Sequence, residues 1–139
     1  MRCLGLDLGS KTLGVATSDA TNTIATSLKT IFFEENNYPN LIKPLREIIK
    51  EYNITKIVLG LPKNMNNTLG ERAEISINFK KMLEDEFNIE VILEDERLTT
   101  VISNNIMINA DISRKKRKKK VDSIAAQLIL QSYLDRKGD

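Results

Sequence analysis

The stretch RCLGLDLGSKTLGVA, residues 2–16, decides how the rest of the chain is read. Arg2 to Leu8 alternates around Cys3, Leu4 and Leu6 as a strand does, and Gly9, Ser10 and Lys11 then turn the chain into a second strand through Leu13, Val15 and Ala16. The two read as a hairpin. Because side chains alternate across a strand, Leu6 and Leu8 should face one side of the sheet and Asp7 the other. A carboxylate held by a strand has a fixed position, and Gly9 beside it leaves room for a phosphate.

Outward from this hairpin, Ser18, Asp19, Thr21 and Asn22 supply turn chemistry before a third strand over Ile24 to Phe33. From Pro39 the period changes. Leu41, Ile42, Leu45, Ile48, Ile49 and Tyr52 recur at three- and four-residue spacing as one face of a helix that Asn53 ends. Lys56 to Leu61 is a short β-branched and apolar run suited to a buried strand. A polar loop follows, and then a helix whose apolar positions are Ala73, Ile77, Met82, Leu83 and Phe87. Ile89 to Leu93 reads as a fifth strand. A short helix over about Thr100 to Asn109 and a longer one over Val121 to Leu134 complete the pattern, with a basic segment between them. The order predicts an α/β domain spanning 1–139: a five-stranded mixed sheet, a three-strand antiparallel meander followed by helix, strand, helix, strand and helix, with helices packed on both faces.

The chain offers little catalytic chemistry besides carboxylates, having no histidine and one cysteine, Cys3, which reads as a small core hydrophobe. Asp7 on the first strand, Glu96 just after the fifth and Asp122 at the start of the last helix each stand where a regular element ends or begins. In a mixed sheet of this order, ligands gather at the carboxyl ends of strands, where Asp7 and Glu96 can meet and Asp122 can join them. Converging carboxylates are the donor set of magnesium, and two such ions about 3.5 to 4 Å apart suit phosphodiester hydrolysis. Asp7, Glu96 and Asp122 are therefore the candidate catalytic and metal-binding residues, with Mg2+ expected and Mn2+ as the alternative ion. Each also has a plain structural explanation. Asp7 could end a strand, Glu96 could pair with Arg97, and Asp122 in a first helical turn would favour the helix dipole by roughly 0.3 to 1 kcal/mol.

At 139 residues and 41% hydrophobic, the chain is long enough for one domain with a real core. Nothing in its cysteine content requires an oxidising compartment, and it has neither a signal-like leader nor a span-length apolar run, so a soluble cytoplasmic protein with no membrane association is expected. The formal charge of +2 conceals an asymmetry. Arg114, Lys115, Lys116, Arg117, Lys118, Lys119 and Lys120 hold seven of the 21 basic residues, which leaves 14 against 19 acids elsewhere. Such a block is expected to be a mobile solvated segment that attracts a polyanion, and nucleic acid is the expected partner. Arg114, Lys115, Lys116 and Arg117, together with Lys11, Lys63, Arg72, Arg97 and Thr99, are the candidate substrate contacts, although capping of the next helix competes for Thr99. The aromatic residues Tyr38, Tyr52, Phe79, Phe87 and Tyr133 sit in helical patterns and read as packing.

Several separated motifs carry a family resemblance. They are Gly-Leu-Asp-Leu-Gly-Ser-Lys at 5–11, Gly-Val-Ala-Thr-Ser-Asp at 14–19, Gly-Leu-Pro at 60–62, Gly-Glu-Arg-Ala at 70–73, Asp-Glu-Arg-Leu-Thr-Thr at 95–100 and Val-Asp-Ser-Ile-Ala-Ala at 121–126. In that order the chain resembles the YqgF/RuvX family over nearly its whole length. The resemblance implies a ribonuclease H-like fold and an acidic site at Asp7, Glu96 and Asp122. It also implies a nuclease maturing the 5' end of precursor 16S ribosomal RNA, with precursor ribosomal RNA or ribosomal particles as partner. Asn66 and Asn67 stand where the family usually has Asp and Gly, and Ile102 and Ser103 where it has Glu and Ala.

Three other functions compete. A Holliday junction resolvase on four-way DNA keeps the chemistry but needs two sites, hence a symmetric homodimer. A noncatalytic RNA-binding ribosome assembly factor would use the basic run alone. The Asp-Leu-Gly start also resembles the first phosphate loop of the sugar kinase and actin superfamily, but 139 residues supply only one of the two domains such proteins close around ATP.

Overall fold

The computed structural model describes residues 2–35, 37–62, 70–95 and 114–137, and in the last stretch it describes side chains from 124 to 136. Strands β1 (Arg2–Leu8), β2 (Thr12–Ser18), β3 (Ala25–Phe32), β4 (Ile54–Leu61) and β5 (Glu90–Asp95) form one sheet in the order β3-β2-β1-β4-β5. The first three pair antiparallel, and the Gly9 N–H donates to the Thr12 carbonyl at 2.7 Å to close the first hairpin. β4 pairs parallel with β1, and β5 parallel with β4. Parallel neighbours need a crossover, and α2 (Glu71–Phe87) supplies it between β4 and β5.

A 3-10 turn over Tyr38–Leu41 leads into α1 (Ile42–Tyr52), which buries Leu45 and Ile48 against the sheet. Both crossover helices stop the same way. Asn53 and Asn88 adopt left-handed conformations, and their N–H groups donate to the carbonyls of Ile49 and Glu84, satisfying acceptors that a helix end would orphan. Asparagine tolerates that conformation, and the parallel strands begin within two residues of it. At the other end of α2, Glu71 and Glu74 complement the helix dipole.

Leu4, Leu6, Leu8, Leu13, Val15, Ile57 and Leu59 face α1 and α2 and form the larger core with Leu45, Phe79 and Leu83. Burial of each such side chain is worth about 1.5 to 3 kcal/mol, so this face carries most of the apolar stabilisation. The face of α2 differs from expectation: Ala73, Ser76, Phe79 and Leu83 are buried, whereas Ile77 is 38% exposed. The small side chains of Ala73 and Ser76 let the helix approach the sheet, and the large ring of Phe79 takes the volume assigned to Ile77.

The last described helix, α3 (Arg114–Lys137), covers the opposite face. It begins seven residues earlier than the expected Val121, so the basic run Arg114–Lys120 is helix and not the loop that self-repulsion suggested. Lysine and arginine are good helix formers and the segment contains no glycine or proline, so propensity prevails over repulsion between like charges. The expected short helix over Thr100 to Asn109 lies outside the described residues.

Small residues line the contact between α3 and the sheet: Cys3, Gly5, Ala16, Ala25 and Val58 oppose Ala126, Ile129, Leu130 and Tyr133. A Cβ on Gly5 would lie 2.7 Å from Leu130 Cβ and 2.9 Å from the Ala126 carbonyl oxygen, so only glycine fits. α3 also closes one end of the sheet's edge. Gln131 Oε1 accepts the Ala25 N–H at 2.8 Å, while Gln127 and Gln131 donate to the carbonyls of Ala25 and Thr23 at 3.1 and 2.9 Å. Two glutamines thus stand in for a neighbouring strand at the start of β3.

Candidate metal and nucleic-acid site

Asp7 is partly buried and faces α3, as the alternation with Leu6 and Leu8 requires. Its surroundings follow from register. On β2 its cross-strand partner is Gly14. On β4, Leu6 pairs with Leu59, so the next residue opposite Asp7 is Gly60, which pairs in turn with Glu94 of β5. A carboxylate at the carboxyl end of a central strand therefore has a glycine on each side, and the sheet beside it is bare backbone. A carboxylate is a hard oxygen donor of the kind that divalent cations take, and neither strand neighbour sets a side chain beside it.

The direction of α3 bears on the same end of the sheet. Lys56, opposite Cys3 near the start of β1, donates to the Tyr133 hydroxyl at 3.2 Å, while Ala126 and Leu130 meet Gly5 further along. α3 thus runs antiparallel to β1, with its amino-terminal half toward the strand end that bears Asp7. Asp122 lies one turn before Ala126 on this helix. Because α3 begins at Arg114, Asp122 belongs to its third turn, and a first-turn dipole role does not account for it. Arg114, Lys115, Lys116 and Arg117 form the first turn, and the whole basic run extends the helix by about 10 Å.

Lys11 is exposed in the β1–β2 turn, beside the same strand end. Arg72, in the first turn of α2, donates from Nη2 to the Leu8 carbonyl oxygen at 3.0 Å, so at least one donor of this expected phosphate contact is spent on the chain itself. Lys63, Glu96, Arg97 and Thr99 lie outside the described residues.

The sequence did not single out Gly14, or Gly60 as the strand neighbour of Asp7, although glycine within an apolar strand run marks a close approach or an opening. Nor did it single out Glu94, which is 4% exposed on the α3 side of β5. Glu94 Oε2 accepts from Ser132 Oγ at 3.0 Å, and Oε1 lies 2.6 Å from Arg136 Nη2 as an ion pair that lacks the alignment of a hydrogen bond. These contacts tie the carboxyl-terminal half of α3 to the β5 edge. Two carboxylates elsewhere are held below their ordinary values. For Asp19 the cause is chiefly the Thr23 backbone N–H and then the Thr21 hydroxyl, and for Glu84 it is chiefly the hydrogen bond from Lys80. Asp19 shapes the β2–β3 turn at the far end of the sheet.

The family RuvX, described as "Holliday junction resolvase", matches residues 1–136. A protein of Geobacillus sp. (strain WCH70) named "Putative pre-16S rRNA nuclease" is 56% identical over 137 residues, 99% of both chains. One of the same name from Bacillus subtilis (strain 168) is 53% identical over 135 residues, 97% of this chain and 98% of its own. Among solved structures, Thermus thermophilus RuvC in complex with a Holliday junction substrate superposes with a TM-score of 0.61 at 12% identity, covering 99% of this chain and 96% of that one. The fowlpox virus resolvase in complex with Holliday junction DNA gives 0.58 at 18% identity, with full coverage of both. The sheet and its helices thus have the ribonuclease H-like fold of these resolvases.

Proposed function

Since this chain belongs to the RuvX family, we propose that residues 1–139 act as a single cytoplasmic nuclease domain that hydrolyses phosphodiester bonds with magnesium or manganese and matures the 5' end of precursor 16S ribosomal RNA. The observation that carries the reading is Asp7 between Gly14 and Gly60 on the face that α3 covers, at the strand end toward which α3 directs its basic amino-terminal half. The substrate comes from relatives more than half identical over nearly their whole length.

Asp7 would hold the cation with Glu96 and Asp122. When bound, the cation supplies Lewis acidity that activates water near neutral pH and offsets the charge developing on the phosphate. Asp7 is suited to the central position because a strand between two paired neighbours fixes its backbone. Arg114, Lys115, Lys116 and Arg117 would attract the phosphate backbone and orient it along α3, and Lys11 would meet it from the hairpin. Lys63, Arg97 and Thr99 are further contacts of the same reading. Salt should therefore weaken binding steeply, because each phosphate contact releases counterions, and a flat salt titration would remove the basic run from the interface.

The deciding assay offers precursor 16S ribosomal RNA and a four-way DNA junction side by side, with magnesium or manganese, to wild type and Asp7→Asn, with a chelator control. Cleavage of the RNA alone, lost by roughly a thousandfold in the variant and abolished by chelator, is expected. Junction cleavage with the same dependence would change the substrate and make the dimer necessary. Tight binding without cleavage of either would replace the nuclease with an RNA-binding assembly factor.

A further inference from the structure

Arg72 has a more specific task than meeting substrate, and the pairing of β1 with β4 reveals it. The direction of each β1 backbone group follows from its hydrogen-bond partners. The Cys3 and Gly9 N–H groups point toward β2, donating to Ser18 Oγ and to the Thr12 carbonyl, whereas the Arg2 N–H points toward β4 and donates to the Asn53 carbonyl at 3.3 Å. Even-numbered residues of β1 therefore face β4. In a parallel ladder such a residue donates to the residue before its partner and accepts from the residue after it. Leu6 is paired with Leu59, so its carbonyl calls for the N–H of Gly60. Continuing that register two residues past the last pair, Leu6 with Leu59, sets Leu8 opposite Leu61, and the Leu8 carbonyl calls for the N–H of residue 62. Residue 62 is proline, which has none. The recorded pairing of β1 with β4 ends at Leu6, and the guanidinium of Arg72, arriving from the first turn of α2, donates to the Leu8 oxygen at 3.0 Å.

We propose that Arg72 is a positioning residue that supplies the donor Pro62 lacks, and so fixes the end of β1 that carries Asp7. The inference rests on the nuclease reading only for its effect on rate. Without Arg72, the Leu8 carbonyl would have no ladder partner on the β4 side. The strand end would be held by β2 alone, and Asp7, one residue earlier, would lose its defined height above Gly60. β1 ends at Leu8 and β4 at Leu61, which is still paired with Asp95 of β5, so Pro62 stands at the common end of the two strands. Arg72 thus holds the end of β1 where the ladder to β4 has no donor left.

The exchange of two residues tests this, because Pro62→Ala restores the missing N–H. The first readout is hydrogen exchange at the Gly9 amide, measured on the full chain without metal or nucleic acid. Arg72→Met should speed that exchange about tenfold, as loss of a satisfied buried acceptor would. Arg72→Met with Pro62→Ala should return it most of the way to wild type, while Pro62→Ala alone leaves it unchanged. The second readout is cleavage. The single Arg72 variant should lose kcat with KM little changed, and the double variant should recover it. Wild-type Gly9 exchange in Arg72→Met, or a raised KM with unchanged kcat that Pro62→Ala does not repair, would make Arg72 a phosphate contact and overturn the proposal. If the wild type cleaves nothing yet the exchange pattern holds, the nuclease reading falls and the positioning role stands.

Discussion

The two faces of this sheet are built on opposite rules. Toward α1 and α2 the strands present Leu4, Leu6, Leu8, Leu13, Val15, Ile57 and Leu59, large side chains that interlock with Leu45, Phe79 and Leu83. Toward α3 they present Cys3, Gly5, Asp7, Gly14, Ala16 and Gly60, which are small or charged, and all but Asp7 are buried. The first face supplies stability through buried area. The second draws a helix close, and a carboxylate, Asp7, stands on it at the end of a strand. The large core and the proposed site thus lie on opposite faces of the same strands.

The largest effect that would sharpen this contrast is expected on the stable face. Leu6→Ala should cost roughly 2 to 5 kcal/mol in urea denaturation, yet leave the cleavage rate per folded molecule near wild type. A matching loss of rate would show that the faces are coupled. Gly5→Ala should invert the pattern. Its methyl would meet Leu130 Cβ at 2.7 Å and the Ala126 carbonyl at 2.9 Å, so α3 must shift. Stability should fall by about 1 to 3 kcal/mol and cleavage by more than that loss explains, roughly tenfold or beyond.

A smaller effect is expected where α3 meets β5. Arg136→Ala leaves the Glu94 carboxylate buried beside Ser132 alone. The side chain of Arg136 is 63% exposed, so solvent screens the pair and about 1 to 2 kcal/mol of thermal stability should be lost. Adding Glu94→Gln should restore part of that loss by removing the buried charge. No recovery would mean that Arg136 acts through its packing over the Tyr133 ring. The smallest change belongs to Asp19, far from both the large core and the proposed site. Its carboxylate titrates below the ordinary 3.8 because the Thr23 backbone N–H, and next the Thr21 hydroxyl, stabilise the charged form. That contribution is complete above pH 3.8 and is lost as pH falls through the lower folded value. Acid denaturation of wild type and Asp19→Asn should therefore converge only below about pH 4.

Much of this contrast was legible in the residues. The alternation Leu6-Asp7-Leu8 assigns the acid to one face before any coordinates, and Asn53 marks the end of α1 because asparagine tolerates a left-handed cap. The remainder depends on information that no local pattern holds. Ile77 and Phe79 are both apolar, and only the approach of α2 decides which of them is buried. Glu94 reads as a surface acid until Ser132 and Arg136, some forty residues later, fold over it. The basic run appears self-repelling, yet it continues α3 because its helix propensity outweighs repulsion in water. Arg72 looks like a phosphate ligand because what it replaces, an N–H missing from Pro62, is visible only once β1 and β4 are in register. Lys63, Glu96, Arg97 and Thr99 lie outside the described residues.

The two glutamines at the start of β3 have a consequence in time. Gln131 is 106 residues downstream of Ala25, so at ribosomal rates of about 5 to 20 residues per second the strand exists for roughly 5 to 20 seconds before its partner is made. During that interval the sheet can assemble with one margin open to another nascent chain. A stop codon or stalled ribosome before Gln127 would leave a product with all five strands and an adhesive edge. Truncated forms of this protein should therefore aggregate before they lose their strands.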